Sequence, residues 1–164
     1  MSRLLALLSL ILLASATNCV HGSVWWFSNA EAAYPPIAPI NITNHTLPVV
    51  DAAALQEYVK RGATGANGLD QLAAALLTVK LNTASGAGIT WTILVAMNTA
   101  DHVLVACPPD VPLIWGSVLQ GGTCSGQTML QIRQLIAILT AYSYGEEEEG
   151  PELCTDIGMH APTK

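Results

Sequence analysis

The chain has 164 residues, of which 51% are hydrophobic and only 11% charged, and its formal net charge is −6 at pH 7. Soluble domains carry charge at about a quarter of their positions, so part of this surface must be neutral and polar or covered by a partner. The negative charge is concentrated after Gly145, and the only adjacent basic residues are Lys60 and Arg61. The lack of a basic patch argues against nucleic-acid binding.

The first sixteen residues have the organisation of a secretory signal peptide. Arg3 supplies the positive charge, Leu4–Leu13 is an apolar run, and Ala14 and Ala16 are the small residues that signal peptidase requires. The run is too short to span a bilayer, so we expect a secreted, extracellular protein with no transmembrane segment in the mature chain. Cleavage after Ala16 leaves four cysteines, whereas the alternative cleavage after Gly22 leaves three, and the even number favours Ala16.

Residues 17–49 form a proline-rich segment that is predicted to be extended. Two sequons in this segment make Asn41 and Asn44 glycosylation candidates if the source is eukaryotic. The aromatic run Trp-Trp-Phe at 25–27 precedes the prolines. We expect it to dock onto a helical core, the alternative being an exposed aromatic contact.

Residues 50–145 show helical periodicity and form the predicted domain. Asp51 is a suitable N-cap for a first helix over Ala52–Lys60, which Gly62 is expected to terminate. A second helix is predicted from Leu69 to about Ala84, because its apolar residues recur at the spacing of one helix face. That face consists of Leu69, Leu72, Ala73, Leu76 and Leu77.

A third helix is predicted from Thr90 to Ala106, and its apolar residues surround it almost completely. We therefore expect it to be the most buried element. The only strand candidate is a short extended piece over Pro112–Leu119, in the loop before the fourth helix. That last helix is predicted over Gln127–Tyr142. Its inward residues are expected to be Leu130, Ile132, Leu135, Ile136, Leu139 and Tyr142.

Four helices with short connections predict an all-α fold, a small antiparallel helical bundle with irregular tails. In that arrangement Cys107 and Cys124 lie at the same end, where a disulfide between them would contribute roughly 3 kcal/mol. Cys19 and Cys154 are then left to pair, and the two other connectivities remain open. Residues 146–164, which begin with four glutamates, are predicted to form a solvated acidic tail.

The sequence contains no recognisable catalytic, cofactor or metal motif. Asp101 and His102 bring a carboxylate beside an imidazole, but neighbours on a helix point about 100° apart and do not form a natural dyad. The run of glutamates lacks the spacing of a calcium loop. Lys80 and Asn82 lie near a helix end, where capping of the terminal carbonyls is the simplest interpretation. We therefore expect no enzymatic activity, no cofactor and no bound metal.

The segment LAAALLTVKLNTASGAG at 72–88 has the form LxxALLxxKLNxAxG. It resembles a helix of bacterial extracellular and cell-surface proteins that leads into a second helix and then a final one. The similarity covers about Leu69 to Cys154, and the family is functionally uncharacterised. The resemblance therefore implies a secreted helical module without catalytic residues. The matching residues are Leu76, Leu77, Lys80, Leu81, Asn82, Ala84 and Gly86, with a looser match at Tyr142 and Gly145.

Two functional classes have support in the sequence. The first is a secreted structural or protein-interaction module of an extracellular or surface assembly, whose partner is an unidentified protein or surface, or a second copy of the chain. It is favoured by the sparsely charged span Leu81–Ile132, which a domain of this size can hardly bury completely. The alternative is a secreted helical carrier of a lipid or other small apolar ligand. A continuous apolar cavity of a few hundred Å³ would distinguish the carrier.

Overall fold

The structure is a computed structural model that describes residues 18–43, 47–64, 68–107 and 127–154. Helices make up 63% of this part of the chain, and its strands are only two residues long. The predicted mostly helical fold is confirmed. In chain order the elements are β1 Cys19–Val20, α1 Ser23–Ser28, α2 Ala30–Ala33, β2 Ile40–Asn41, β3 Pro48–Val49, α3 Ala52–Thr64, α4 Gly68–Ala84, α5 Trp91–Ala106, α6 Met129–Ser143 and β4 Glu152–Leu153.

The helix α4 occupies the centre of the fold, because α1, α3, α5 and α6 all pack against it. Eleven of its seventeen residues are buried, including the whole predicted face, whereas only six of the sixteen residues of α5 are buried. The expectation that the third predicted helix, α5, is the most buried one is therefore wrong. Its apolar residues lie on two opposite sides, and only one of those sides meets other helices.

The helix α3 continues to Thr64, so Gly62 does not terminate it as predicted. A Cβ at Gly62 would overlap the Cβ of Ala74, and the glycine therefore allows α3 and α4 to approach closely. The predicted N-cap is confirmed, since the Asp51 carboxylate accepts a hydrogen bond of 2.8 Å from the backbone N–H of Ala54. The salt bridge of 2.8 Å between Arg61 and Asp70 then joins the end of α3 to the start of α4.

The helix α6 begins two residues later than predicted, at Met129. Thr128 and Gln131 form a capping box there, in which each side chain bonds to the other residue's backbone N–H. Leu130 is exposed and not inward as predicted, while Met129 is buried in its place. The other inward residues that we predicted are buried or half-buried.

The segment before α3 is folded onto the helices, and it is not extended as predicted. Its residues 23–33 form the short helices α1 and α2. Trp26 is buried in the hydrophobic core, which confirms docking for this part of the aromatic run, and Tyr34 is buried as well. The Tyr34 hydroxyl donates to the carbonyl of Val49 and accepts from the N–H of Ile40. These bonds hold the antiparallel pair of β2 and β3.

The C-terminal part of the described chain pairs with its N-terminal part. β4 pairs in parallel with β1, and the predicted disulfide joins Cys19 to Cys154. Gly145 supplies the turn before this pair with a φ of +68°, where a Cβ would overlap the backbone of Leu153. Residues 146–154 therefore contact the rest of the fold, while Glu146, Glu148 and Glu149 of this segment are exposed.

Candidate interaction surface

The outward side of α5 presents large apolar residues to solvent. Trp91 is 77% exposed, and Val95 and Val105 are each 46% exposed. Asn98 and His102 are exposed between them. Successive members of this set, which we call the α5 face, are separated by four, three, four and three residues and so form one stripe along the helix. The sequence contains this spacing, but the apolar residues that surround α5 almost completely do not indicate which side is exposed.

The opposite side of α5 is buried in the hydrophobic core. Its buried apolar residues are Ile93, Ala96, Ala100, Val103 and Leu104. A helix that is apolar on all sides is typical of a fully enclosed position, and in the described structure α5 is enclosed on one side only. Because a tryptophan is seldom left this exposed on a monomeric protein, the α5 face is the strongest candidate for a binding surface.

The α5 face carries no carboxylate, ammonium or guanidinium group. The only charged residue of α5, Asp101, is buried and lies 3.6 Å from the Nζ atom of Lys80. Burial lowers the pKa of Lys80, and the neighbouring Asp101 carboxylate partly opposes that effect. The helix therefore directs its one charge inward, and His102, its neighbour in sequence, points outward.

The start of α5 is held by residues from the C-terminal part of the domain. The Thr90 hydroxyl accepts from the N–H of Ile93, as an N-cap does, and donates to the Glu147 carboxylate at 2.6 Å. The other Glu147 oxygen is buried without a hydrogen-bond partner among the described residues. The Tyr142 hydroxyl donates to the carbonyl of Gly88 at 2.8 Å, and burial, followed by the nearby Glu147 charge, raises its pKa. These contacts fix the position of Trp91 at the first turn.

Asn82 connects α4 to the N-terminal segment and does not cap its own helix. Its Oδ1 accepts from the N–H of His21 at 2.8 Å and from the Trp26 indole at 3.1 Å, while its Nδ2 donates to the His21 carbonyl at 3.0 Å. Lys80 donates to the carbonyl of Asn41 at 3.2 Å. The predicted capping role of Lys80 and Asn82 is thus wrong. Sequence reasoning missed these bonds because their partners lie 39 to 61 residues away.

The residues of the pattern LxxALLxxKLNxAxG at 72–86 have structural positions in this fold. Leu76, Leu77 and Leu81 are fully buried. Gly86 has a φ of +101°, so it provides the turn after α4. Lys80 contacts α5 through Asp101, and Tyr142 bonds to Gly88 just before α5. None of them belongs to the α5 face.

The remaining predicted site residues lie apart from the α5 face. Cys107, after the end of α5, is disulfide-bonded, whereas Cys124 of the predicted Cys107–Cys124 pair lies outside the described residues. Asn41 is exposed on β2, while the threonine of its sequon, Thr43, is buried. Asn44 lies outside the described residues, as do the predicted signal peptide and the strand candidate at 112–119.

Among the grooves that described residues line, three have volumes of about 210, 140 and 210 Å³. Small-molecule sites typically enclose about 300 to 1,000 Å³. The described residues include no group of three or more metal-ligating side chains. No described helix has the length and apolar character to cross a membrane.

Comparison with known proteins gives no similarity from which a function follows. The chain matches no protein-family model, and neither a curated protein nor a solved structure is similar to it.

Proposed function

We propose that this protein is a secreted, non-catalytic structural or interaction module that binds its partner through the α5 face. The observation that carries the proposal is the stripe from Trp91 to Val105, which is exposed, largely apolar and free of charge. A partner that covers the stripe gains the free energy of burying these side chains, about 25 cal/mol for each Å² of apolar surface. Such binding persists at high salt, because screening weakens contacts between charges and not apolar contacts.

Secretion is supported by the signal-like first sixteen residues and by the disulfide between Cys19 and Cys154, which is stable in an oxidising compartment. We place the cleavage after Ala16. Cleavage after Gly22 would remove Cys19 and the fully buried Val20, and would leave Cys154 without its partner. The exposed position of Asn41 suits a glycan there if the source is eukaryotic.

We further propose that α3, α4, α5 and α6 form an antiparallel bundle in the up-down-up-down order. The contact of Arg61 with Asp70 supports opposite directions for α3 and α4. The bond from Tyr142, in the last turn of α6, to Gly88, just before α5, supports opposite directions for α5 and α6. In this arrangement α5 lies at the periphery, with one side left for a partner.

The alternative of a lipid carrier is less well supported. The grooves described above are open and smaller than a typical small-molecule site. The α5 face is a convex helix surface, which suits a protein partner better than a small ligand.

The secreted state is tested by the intact mass of the protein that expressing cells release. We expect a chain that begins at Thr17 and contains no free thiol. Retention inside the cell, or a secreted chain that begins at Ser23, would contradict this part of the proposal.

The α5 face is tested by placing a photo-cross-linking amino acid at Val95 and irradiating the secreted protein in the medium of the producing cells at 1 M NaCl. We expect covalent adducts between molecules. The matched control is the same amino acid at Val50, which is also an exposed valine but lies outside α5. A variant at Val95 that gives no more adducts than the Val50 control would refute the proposed surface.

A further inference from the structure

We propose that the partner of the α5 face is the α5 face of a second copy of this chain, so that two molecules pair helix against helix. This inference rests on the proposed function, which requires that the face is a binding surface, and it adds the identity of the partner. The pairing places Trp91, Val95, Asn98, His102 and Val105 of one copy against the same residues of the other.

The spacing of the face is that of a helix-pairing seam. Positions separated alternately by four and three residues occupy the a and d sites of a heptad repeat, which meet the same sites of a second helix in a coiled coil. The α5 face follows this spacing from its first residue, Trp91, to its last, Val105. A partner helix that carries the same repeat is available in every copy of the chain.

The distribution of charge favours a second copy over a charged partner. Each molecule has a net charge of −6, so two copies repel each other overall, and this repulsion is weakest when they meet at surfaces without charge. The α5 face is such a surface, because Asp101 is buried beside Lys80 on the other side of the helix. A partner that presents lysines or arginines would find no carboxylate on the face to pair with.

The polar residues of the face can satisfy each other across a twofold axis. Asn98 is central in the stripe, with two face residues on either side. An asparagine amide is both a donor and an acceptor, so two copies of Asn98 can bond to one another. A polar asparagine within such a seam can fix the register and the number of helices, at a cost in stability.

The size of the face predicts a weak and reversible dimer. A sixteen-residue helix is about 24 Å long and about 10 Å wide. Its outward side alone is well below the surface of about 800 Å² per partner that stable complexes bury. We therefore expect association that depends on concentration, with a dissociation constant in the micromolar range or weaker.

Sedimentation of the full secreted chain, with its disulfides intact, tests this inference. Between about 5 μM and 1 mM the mean mass is expected to rise toward twice that of the monomer, equally in 0.15 M and 1 M NaCl. Val95→Glu is expected to weaken the association at least tenfold, since it places an unpaired carboxylate in the apolar contact of each copy. Val50→Glu is the matched control, with the same substitution at another exposed valine, and it should leave association unchanged. Circular dichroism checks that both variants are folded.

Three results would overturn the pairing of two copies. The first is a protein that stays monomeric at 1 mM. If such a monomeric protein still cross-links from Val95 to a different protein, the proposed function stands and only the identity of the partner is wrong. If it neither dimerises nor cross-links from Val95, both proposals are refuted. The second is a dimer that Val95→Glu and Val50→Glu affect equally. The third is a dimer that dissociates in 1 M NaCl, which would indicate charge contacts elsewhere.

Discussion

At the scale of single residues, Asn82 links two distant parts of the chain. It is 1% exposed on the central helix, and its side chain bonds to both backbone groups of His21 and to the Trp26 indole. An apolar residue at this position would leave these buried groups without partners, at a cost of about 1–3 kcal/mol for each group. The position therefore requires an amide, which is both donor and acceptor.

Asn82→Ala is expected to lower the free energy of unfolding by about 2–4 kcal/mol, because three hydrogen bonds are lost and the buried Trp26 indole is left unpaired. Denaturation in urea, followed by circular dichroism, measures the change. Asn98→Ala serves as the control, since Asn98 is exposed, and its effect on the monomer should be within about 0.5 kcal/mol. Equal effects of the two substitutions would show that the Asn82 bonds do not hold the N-terminal segment.

At the scale of elements, the contact between α3 and α4 depends on a glycine within a helix. Within a helix, alanine is normally more favourable than glycine by about 1 kcal/mol. At Gly62 this preference is outweighed, since a Cβ would overlap the Cβ of Ala74. The sequence rule that a glycine ends a helix fails here, because the rule considers only local conformation and the glycine serves contact with another helix.

Gly62→Ala is expected to destabilise the protein by about 1–3 kcal/mol, the usual effect of overpacking. The double variant Gly62→Ala with Ala74→Gly moves the methyl group from α4 to α3, and it is expected to recover part of this loss of stability. Thermal unfolding of both variants and of the parent provides the measurement. If Gly62→Ala alone is more stable than the parent, α3 and α4 can move apart at no cost, and glycine is not needed at this contact.

A second prediction at this scale concerns the start of α5. Glu147→Gln removes the charge that accepts the bond from Thr90 at the N-terminal end of the helix, where a negative charge is favourable. We expect a loss of about 0.5–2 kcal/mol in the free energy of unfolding. The neighbouring exposed Glu148 provides the control, and Glu148→Gln should have little effect. If both substitutions have the same small effect, residues 146–149 behave as the solvated run that the sequence suggested.

At the scale of the whole molecule, the disulfide between Cys19 and Cys154 joins the two ends of the described domain across 135 positions of sequence. In the chain-entropy model, a loop longer than 100 residues stabilises the folded state by about 5 kcal/mol. This is a large part of the free energy of unfolding of a typical protein, which is about 5–15 kcal/mol. The helices nevertheless bury a core of their own around α4.

Cys19→Ser combined with Cys154→Ser is therefore expected to lower the unfolding temperature strongly and to leave the helical circular-dichroism signal intact at 10 °C. The parent protein in reductant should behave similarly. Complete loss of the helical signal at that temperature would show that the disulfides, and not the core, specify the fold.

The sequence by itself determined the elements that depend on local interactions. The periodicity of α4, the Asp51 cap and the glycine after α4 all follow from residues within a few positions of one another, and the structure has them as predicted. The pairing of Cys19 with Cys154 was also expected, by elimination once the other two cysteines were placed together.

Only the tertiary structure decided which apolar sides are buried. The sequence of α5 is apolar almost all round, and nothing local to it distinguishes the side with Ile93 from the side with Trp91. That choice depends on α4 and α6, which pack against one side. The same reason explains the bonds of Asn82 and Glu147, whose partners lie about sixty residues away. Contacts over such distances are set by how the helices pack, which the local pattern of a chain does not encode.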